Sequence, residues 1–298
     1  MEKPLFIKQH RSNSKETSEV LLSHGANVNE KDKYRFTALH IAVDKNRKEA
    51  TEVLLSHGAN VNEKDKDGET ALHIAVDKNR KEATELLLSH GANVNEKNKY
   101  GETALHIAAY KNSNETTELL LLHGANVNEK DKDVGTALHY AAYKNSIEAT
   151  ELLLSHGANV NEDYEHGEAA LHKAAYKNRK ETSEVLLSHG ANVNEKDKYR
   201  FTALHIASYK NRKEATEVLL SHGANVNEKD KDGETALHIA VDKNRKEATE
   251  LLLLHGANVN EKDKYRFTAL HIAAYKIVKK HPNFFFYMVQ MSMKKIKM

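Results

Sequence analysis

Apolar positions recur with helical spacing inside short segments of this chain, and the segments recur every 33 residues. Leu39, Ile41 and Ala42 mark one apolar stripe and Ala50, Val53 and Leu54 a second, with Asn46-Arg47 breaking the pattern between them. The spacing predicts a helix over Ala38–Lys45, a second over Lys48–Ser56, and copies of both at multiples of 33. Thr37 stands where an N-cap hydroxyl faces the free N–H groups of the first helix. Gly58 falls just past the second helix, at the C′ position that calls for left-handed φ. Gly91, Gly124, Gly157, Gly190 and Gly223 are its equivalents. Ala59 and Val61 re-enter the core, Asn60 and Asn62 tie the turn through side-chain hydrogen bonds, and a Lys-Asp-Lys tip is left in solvent.

Two sequence blocks carry the period. Thr-Ala-Leu-His or a variant begins at Thr37, Thr70, Thr103, Thr136, Ala169, Thr202, Thr235 and Thr268. His-Gly-Ala-Asn-Val-Asn keeps step, with histidines at His24, His57, His90, His123, His156, His189, His222 and His255. A unit of this size cannot bury its apolar face alone and must stack on its neighbours. The expected architecture is one continuous all-α solenoid, with seven full units over residues 34–264, a degenerate unit over 1–33 and a truncated one over 265–298. Function then belongs to a surface built by many units, not to one catalytic pocket.

The units resemble the ankyrin repeat. The best copy runs Asp67-Gly68-Glu69-Thr70-Ala71-Leu72-His73-Ile74-Ala75 through Leu86-Leu87-Leu88-Ser89-His90-Gly91-Ala92-Asn93-Val94-Asn95. Two features depart from the family pattern. The proline after Thr is Ala in every copy, a loss of pre-set helical φ that the helix propensity of Ala partly offsets. The turn glycine, present at Gly68, Gly101, Gly167 and Gly233, is replaced by Arg35, Arg200 and Arg266. The resemblance implies stacked helix-turn-helix units joined by β-turn or hairpin fingers, with turn tips and first helices lining a concave surface that grips partners. It also implies that His40, His73, His106, His139, His172, His205, His238 and His271 are structural, hydrogen-bonded within and between repeats.

That reading competes with a metal site, because most of the 19 histidines lie in the two blocks. Zinc needs three or four ligands within about 2.3 Å of one ion, whereas one histidine per repeat makes a spaced ladder. His57 and its equivalents flank a helix C-terminus, where a cation is favourable. No phosphate loop, nucleophile elbow or kinase signature occurs, and the carboxylates sit in Glu-Lys-Asp tracts with no differently buried partner. Neither enzyme activity, a cofactor nor a small-molecule substrate is expected. The net charge of +2, with interleaved signs, argues against nucleic acid as a partner. With no Cys, no readable signal peptide and no apolar run near the length of a membrane span, a cytoplasmic setting is expected.

Variation is confined to a few positions. The end of the first helix carries Asp44, Asp77, Tyr110, Tyr143, Tyr176, Tyr209, Asp242 and Tyr275, and the turn tip carries Tyr34, Asp67, Tyr100, Asp133, His166, Tyr199, Asp232 and Tyr265. Tyrosine brings contact area at low entropic cost. Tyr110, Tyr143, Tyr176 and Tyr209, alike on successive repeats, are the first candidates for partner binding, and Tyr34, Tyr100, Tyr199 and Tyr265 the next. The expected function is a non-catalytic protein-interaction scaffold. Alternatives are a regulatory or targeting fragment of a longer chain, and nucleic-acid binding through the Lys-rich tips. A monomer is expected, with association through uncapped ends.

A larger period overlies the first. Residues 33–88 and 198–253 are one 56-residue string in which Val43-Asp44 has become Ser208-Tyr209. The ends fit the same duplication. Back-translated with suitable synonymous codons, His166–Ala175 read one nucleotide out of frame gives Met1–His10 without a mismatch. A near copy of Asn112–Asp133, shifted likewise, gives Ile277–Met298. Both ends therefore read as frame-shifted repeat, which removes the case for Phe284–Val289 as a membrane or partner anchor and for the terminal lysines as a basic tag. Pro282 falls where a second helix should run, at a cost of about 3 kcal/mol in a helix interior.

Overall fold

A short apolar stripe, a helix-stopping asparagine and a second apolar stripe give each repeat two antiparallel helices. The computed structural model describes residues 15–280, as two units that divide between Asn159 and Val160. Inner helices of the first unit are Ala38–Asp44, Ala71–Asp77, Ala104–Lys111 and Ala137–Lys144. Its outer helices are 15–23, Lys48–Ser56, Lys81–Ser89, Asn114–Leu122 and Ile147–Ser155. The second unit has inner helices Ala170–Lys177, Ala203–Lys210, Ala236–Asp242 and Ala269–Lys280, and outer helices Lys180–Ser188, Lys213–Ser221 and Lys246–Leu254. Among the described residues there is no strand. The fold is all-α, as the periodicity predicts.

Within each unit successive inner helices stack on one another, and each inner helix but Ala269–Lys280 packs on its own outer helix. Leu39, Leu72, Leu105 and Leu138 in the first unit, and Leu171, Leu204 and Leu237 in the second, are each 1 % exposed. Full burial of one such side chain contributes about 1.5–3 kcal/mol. The small side chains of Ala75, Ala108, Ala141, Ala174, Ala207 and Ala240, completely buried, let neighbouring helices approach.

The inner helices stop at an asparagine in left-handed conformation, which follows the last helical residue directly or, after Asp44, Asp77 and Asp242, one lysine later. Asn46, Asn79, Asn112, Asn145, Asn178, Asn211 and Asn244 have φ between 52° and 65°, a region that asparagine tolerates better than most residues. The last inner helix has no such stop. Ile277 occupies the asparagine position, a β-branched residue avoids positive φ, and the helix runs on to Lys280 instead of ending at Lys276. The frame-shift expectation for residues 1–10 lies outside the described residues, as does that for 281–298.

Candidate functional site

The inner face is built from the fingers that precede each inner helix. In the finger 65–69, Asp65 Oδ1 accepts the N–H groups of Asp67 (2.8 Å) and Glu69 (2.9 Å), and the carboxylate is almost fully buried. This clasp recurs at Asp32, Asn98, Asp131, Asp197, Asp230 and Asp263. The finger of repeat 161–193 has Tyr164 in its place and forms a 3-10 turn, with His166 at φ 71°.

Successive fingers are joined by one backbone bond whose length depends on the turn residue. At Gly68 (φ +74°), an added Cβ would come within 2.9 Å of the Lys99 nitrogen. Where glycine is kept, Lys99 N–H reaches Asp67 O at 2.8 Å, Lys132 reaches Tyr100 O at 3.0 Å, and Lys264 reaches Asp232 O at 2.9 Å. At Arg35 and Arg200 the equivalent bonds, Lys66 to Tyr34 O and Lys231 to Tyr199 O, are 3.2 Å. Arg35, Val134, Arg200 and Arg266 all hold φ between 63° and 66°, a strained value for residues with a Cβ. Gly58 and its equivalents are different, because a Cβ there would meet nothing within 4 Å. Their φ, not their space, calls for glycine.

Six of the Thr-x-Leu-His histidines link a helix start to the next finger of the same unit. His40 Nδ1 accepts the Thr37 N–H (3.1 Å) and its hydroxyl (2.8 Å), and Nε2–H donates to Glu69 O (3.3 Å). Facing two donors on one nitrogen and a carbonyl on the other, the ring is fixed as the neutral Nε2–H tautomer. His73, His106, His205 and His238 repeat the pattern onto Glu102, Gly135, Glu234 and Phe267. His172 keeps the backbone bonds, to Ala169 N–H and Phe201 O, without a hydroxyl. His139 is buried and accepts the Thr136 N–H at 3.2 Å, whereas His271 is exposed. Burial pushes His40, His73, His106, His172 and His205 below the ordinary imidazole value. His57 uses the other tautomer, donating from Nδ1 to Val53 O at 2.8 Å. Among the described residues no cluster of three His, Asp or Glu side chains is placed to hold a metal.

The variable residues form two columns, and at several positions in each a lysine reaches back to the variable residue of the repeat before. Where that residue is Asp, the contact is an ion pair: Lys99 with Asp67 at 2.7 Å and Lys264 with Asp232 at 2.5 Å on the tips, Lys111 with Asp77 at 2.9 Å and Lys276 with Asp242 at 3.2 Å on the helices. Where it is Tyr, the ammonium lies over the ring: Lys66 over Tyr34 (4.7 Å) and Lys231 over Tyr199 (4.4 Å), Lys144 over Tyr110 (4.1 Å) and Lys210 over Tyr176 (4.5 Å). An Asp thus cancels the lysine charge; a Tyr holds it in place uncancelled.

Tyr110, Tyr176 and Tyr209 are exposed on their helices and Tyr143 is half-buried. Tyr34, Tyr100, Tyr199 and Tyr265 are exposed at the tips, Tyr265 most of all at 70 %. The lysines that cover these rings were not singled out by sequence, although Lys45 and its equivalents are invariant beside the variable column. Tyr140, standing where most repeats have Ile, was also missed; it meets Tyr110 edge-on at 6.1 Å and hydrogen-bonds Asp131. A hollow of ≈ 350 Å3 lies between the first two inner helices, floored by Phe36, Ile41 and Ile74 and rimmed by Asp44, Asp77 and Glu69.

Comparison with protein families places this geometry. A model of ankyrin repeats in three copies matches residues 60–131, 95–164, 138–230 and 204–295. A second ankyrin-repeat model matches residues 21–75. The chain belongs to the ankyrin repeat family, whose repeats are generally a protein-binding and typically non-catalytic module. No curated protein matches the chain. No helix among the described residues is long and apolar enough to cross a membrane.

Proposed function

We propose that this protein is a non-catalytic interaction scaffold whose inner face binds an extended segment of a protein partner. The observation that carries the reading is the set of tyrosines at one helical position, Tyr110 and Tyr143 in the first unit and Tyr176 and Tyr209 in the second. They stand on short, tightly packed helices, so a partner meets large aromatic surfaces that lose little entropy on binding. The lysines over the Tyr110 and Tyr176 rings add positive charge beside the aromatic surface. A nucleic-acid role has less support, because the tip lysines Lys99 and Lys264 are neutralised by Asp67 and Asp232.

The test is a selection from a phage-displayed random peptide library on the wild-type chain, followed by the four-fold change of Tyr110, Tyr143, Tyr176 and Tyr209 to Ala. Selected peptides should lose binding, while circular dichroism stays at the wild-type signal. Undiminished binding by the variant would move the site to the tip tyrosines Tyr34, Tyr100, Tyr199 and Tyr265.

A further inference from the structure

Two halves of the inner face carry almost the same sequence and different charge. In repeat 33–65, Lys45 is paired with Asp44 at 2.8 Å. In repeat 198–230, Tyr209 replaces that carboxylate, and Lys210 lies between two rings, 4.5 Å from Tyr176 and 5.2 Å from Tyr209. On the finger of the same repeat Tyr199 is flanked by Lys198 at 5.0 Å and Lys231 at 4.4 Å. An aromatic strip joins the two levels, since Tyr199 meets Phe201 at 6.4 Å and Phe201 stacks on His205 at 5.7 Å.

The carboxylates around this patch are already engaged or shielded. Asp232 is taken by Lys264, and Asp242 by Lys243 (2.8 Å) and Lys276. Glu234 is half-buried, and burial, with Asp230 beside it, pushes its carboxyl above the ordinary value. Among the described residues, Lys210, Lys231 and the exposed Arg200 make no ion pair. Repeat 198–230 therefore presents cations fixed by aromatic rings and not by anions.

We propose that this patch, centred on Tyr209 and Lys210 with Tyr176, Tyr199 and Lys231, docks an acidic, extended segment of a protein partner. The proposal rests on the scaffold reading above and adds the charge of the segment and its place. Partner carboxylates replace water on ammonium groups whose positions are already set, so pairing costs little side-chain entropy. The backbone between them lies on the exposed rings. Stacked helices stand about 8–10 Å apart, the reach of about three residues of extended chain. Acidic side chains at about every third position would thus meet one repeat each.

The probe is a fluorescein-labelled poly-glutamate peptide, followed by fluorescence anisotropy at fixed salt, beside a labelled single-stranded oligothymidylate of equal charge. Wild type should bind poly-glutamate. Tyr209→Asp, which makes this repeat resemble its twin, and Lys210→Glu should each weaken binding about tenfold or more. Tyr209→Phe keeps the ring under the lysine and should bind as wild type. Unchanged affinity in folded Tyr209→Asp and Lys210→Glu overturns the proposal, as does preference for the oligonucleotide. Should library peptides be neutral or basic yet need the four tyrosines, the scaffold reading stands and this one falls. Should they bind without the four tyrosines, the scaffold's site moves from the helices to the tips, and this proposal, centred on Tyr209, is overturned.

Discussion

Residues 33–88 and 198–253 differ at two positions in 56, so the molecule contains its own double mutant. Val43 is buried in an apolar core, whereas Ser208, equally buried, has a hydroxyl without a hydrogen-bond partner. Asp44 forms an ion pair with Lys45, whereas Tyr209 holds Lys210 over its ring. Identical residues also differ between the blocks. Ile41 is 49 % exposed and Ile206 9 %, because Ile206 follows the inner helix Ala170–Lys177 and no inner helix precedes Ile41 among the described residues. Burial in a stacked fold belongs to the pair of repeats, not to the repeat.

The largest effect is expected where the blocks agree, at His40, His73 and His205. Their rings are held neutral, and protonation would put a second donor on Nδ1 against the Thr N–H. With folded values lowered from 6.5, the unfolded chain takes up protons first as pH falls. Their contribution is thus complete above about pH 6.5 and is lost as pH drops through that value toward the lower folded ones. His106 and His172 act in the same direction. Unfolding free energies from urea titrations should fall from pH 8 to pH 5, with a slope of up to about 1.4 kcal/mol per pH unit for each histidine. A flat profile would show that the ladder accepts charge.

The next effect separates the blocks. Val43→Ser should cost about 1–3 kcal/mol by burying an unpaired hydroxyl, and Ser208→Val should return about as much. Thermal melts of both variants decide it. Equal and small effects would mean that the Ser208 hydroxyl finds a bond in solution.

Turn chemistry gives a smaller change. Val134 holds φ 65° with glycine one place later, at Gly135, and Val134→Gly should stabilise the chain by about 1 kcal/mol. Arg200→Gly should act in the same direction and draw the finger bond from 3.2 Å toward the lengths seen at Gly68 and Gly233. Amide exchange at Lys231 reads that bond, and faster exchange in Arg200→Gly would contradict the steric account.

Much of this architecture is legible in the sequence. The period, the helix pairs and the buried leucines follow from apolar spacing, which local sequence records fully. The role of asparagine as helix stop was not read, because Asn46 looked only like an interruption, and its left-handed φ is visible in the backbone alone. The candidate tyrosines stand out as variable positions, whereas the lysines of the helical column, the same in every repeat, do not. Lys210 lies beside Tyr209 in sequence, yet its contact with Tyr176, 34 positions away, depends on stacking.

The smallest stability effect and the sharpest functional one should come from the same exchange. Asp44→Tyr and Tyr209→Asp change side chains at the surface, where an ion pair and a cation–π contact are each worth about 1 kcal/mol or less. Each swaps one for the other around an unchanged lysine. Melting temperatures should therefore move little, by the equivalent of about 0.5 kcal/mol. Poly-glutamate affinity should move in opposite directions in the two variants, down for Tyr209→Asp and up for Asp44→Tyr, because Lys45 is released from its carboxylate as Lys210 acquires one. A large loss of stability in either variant would mean that the column holds the repeats together and that its charge is incidental. Small stability changes without any shift in affinity would overturn the docking of an acidic segment at Tyr209 and Lys210.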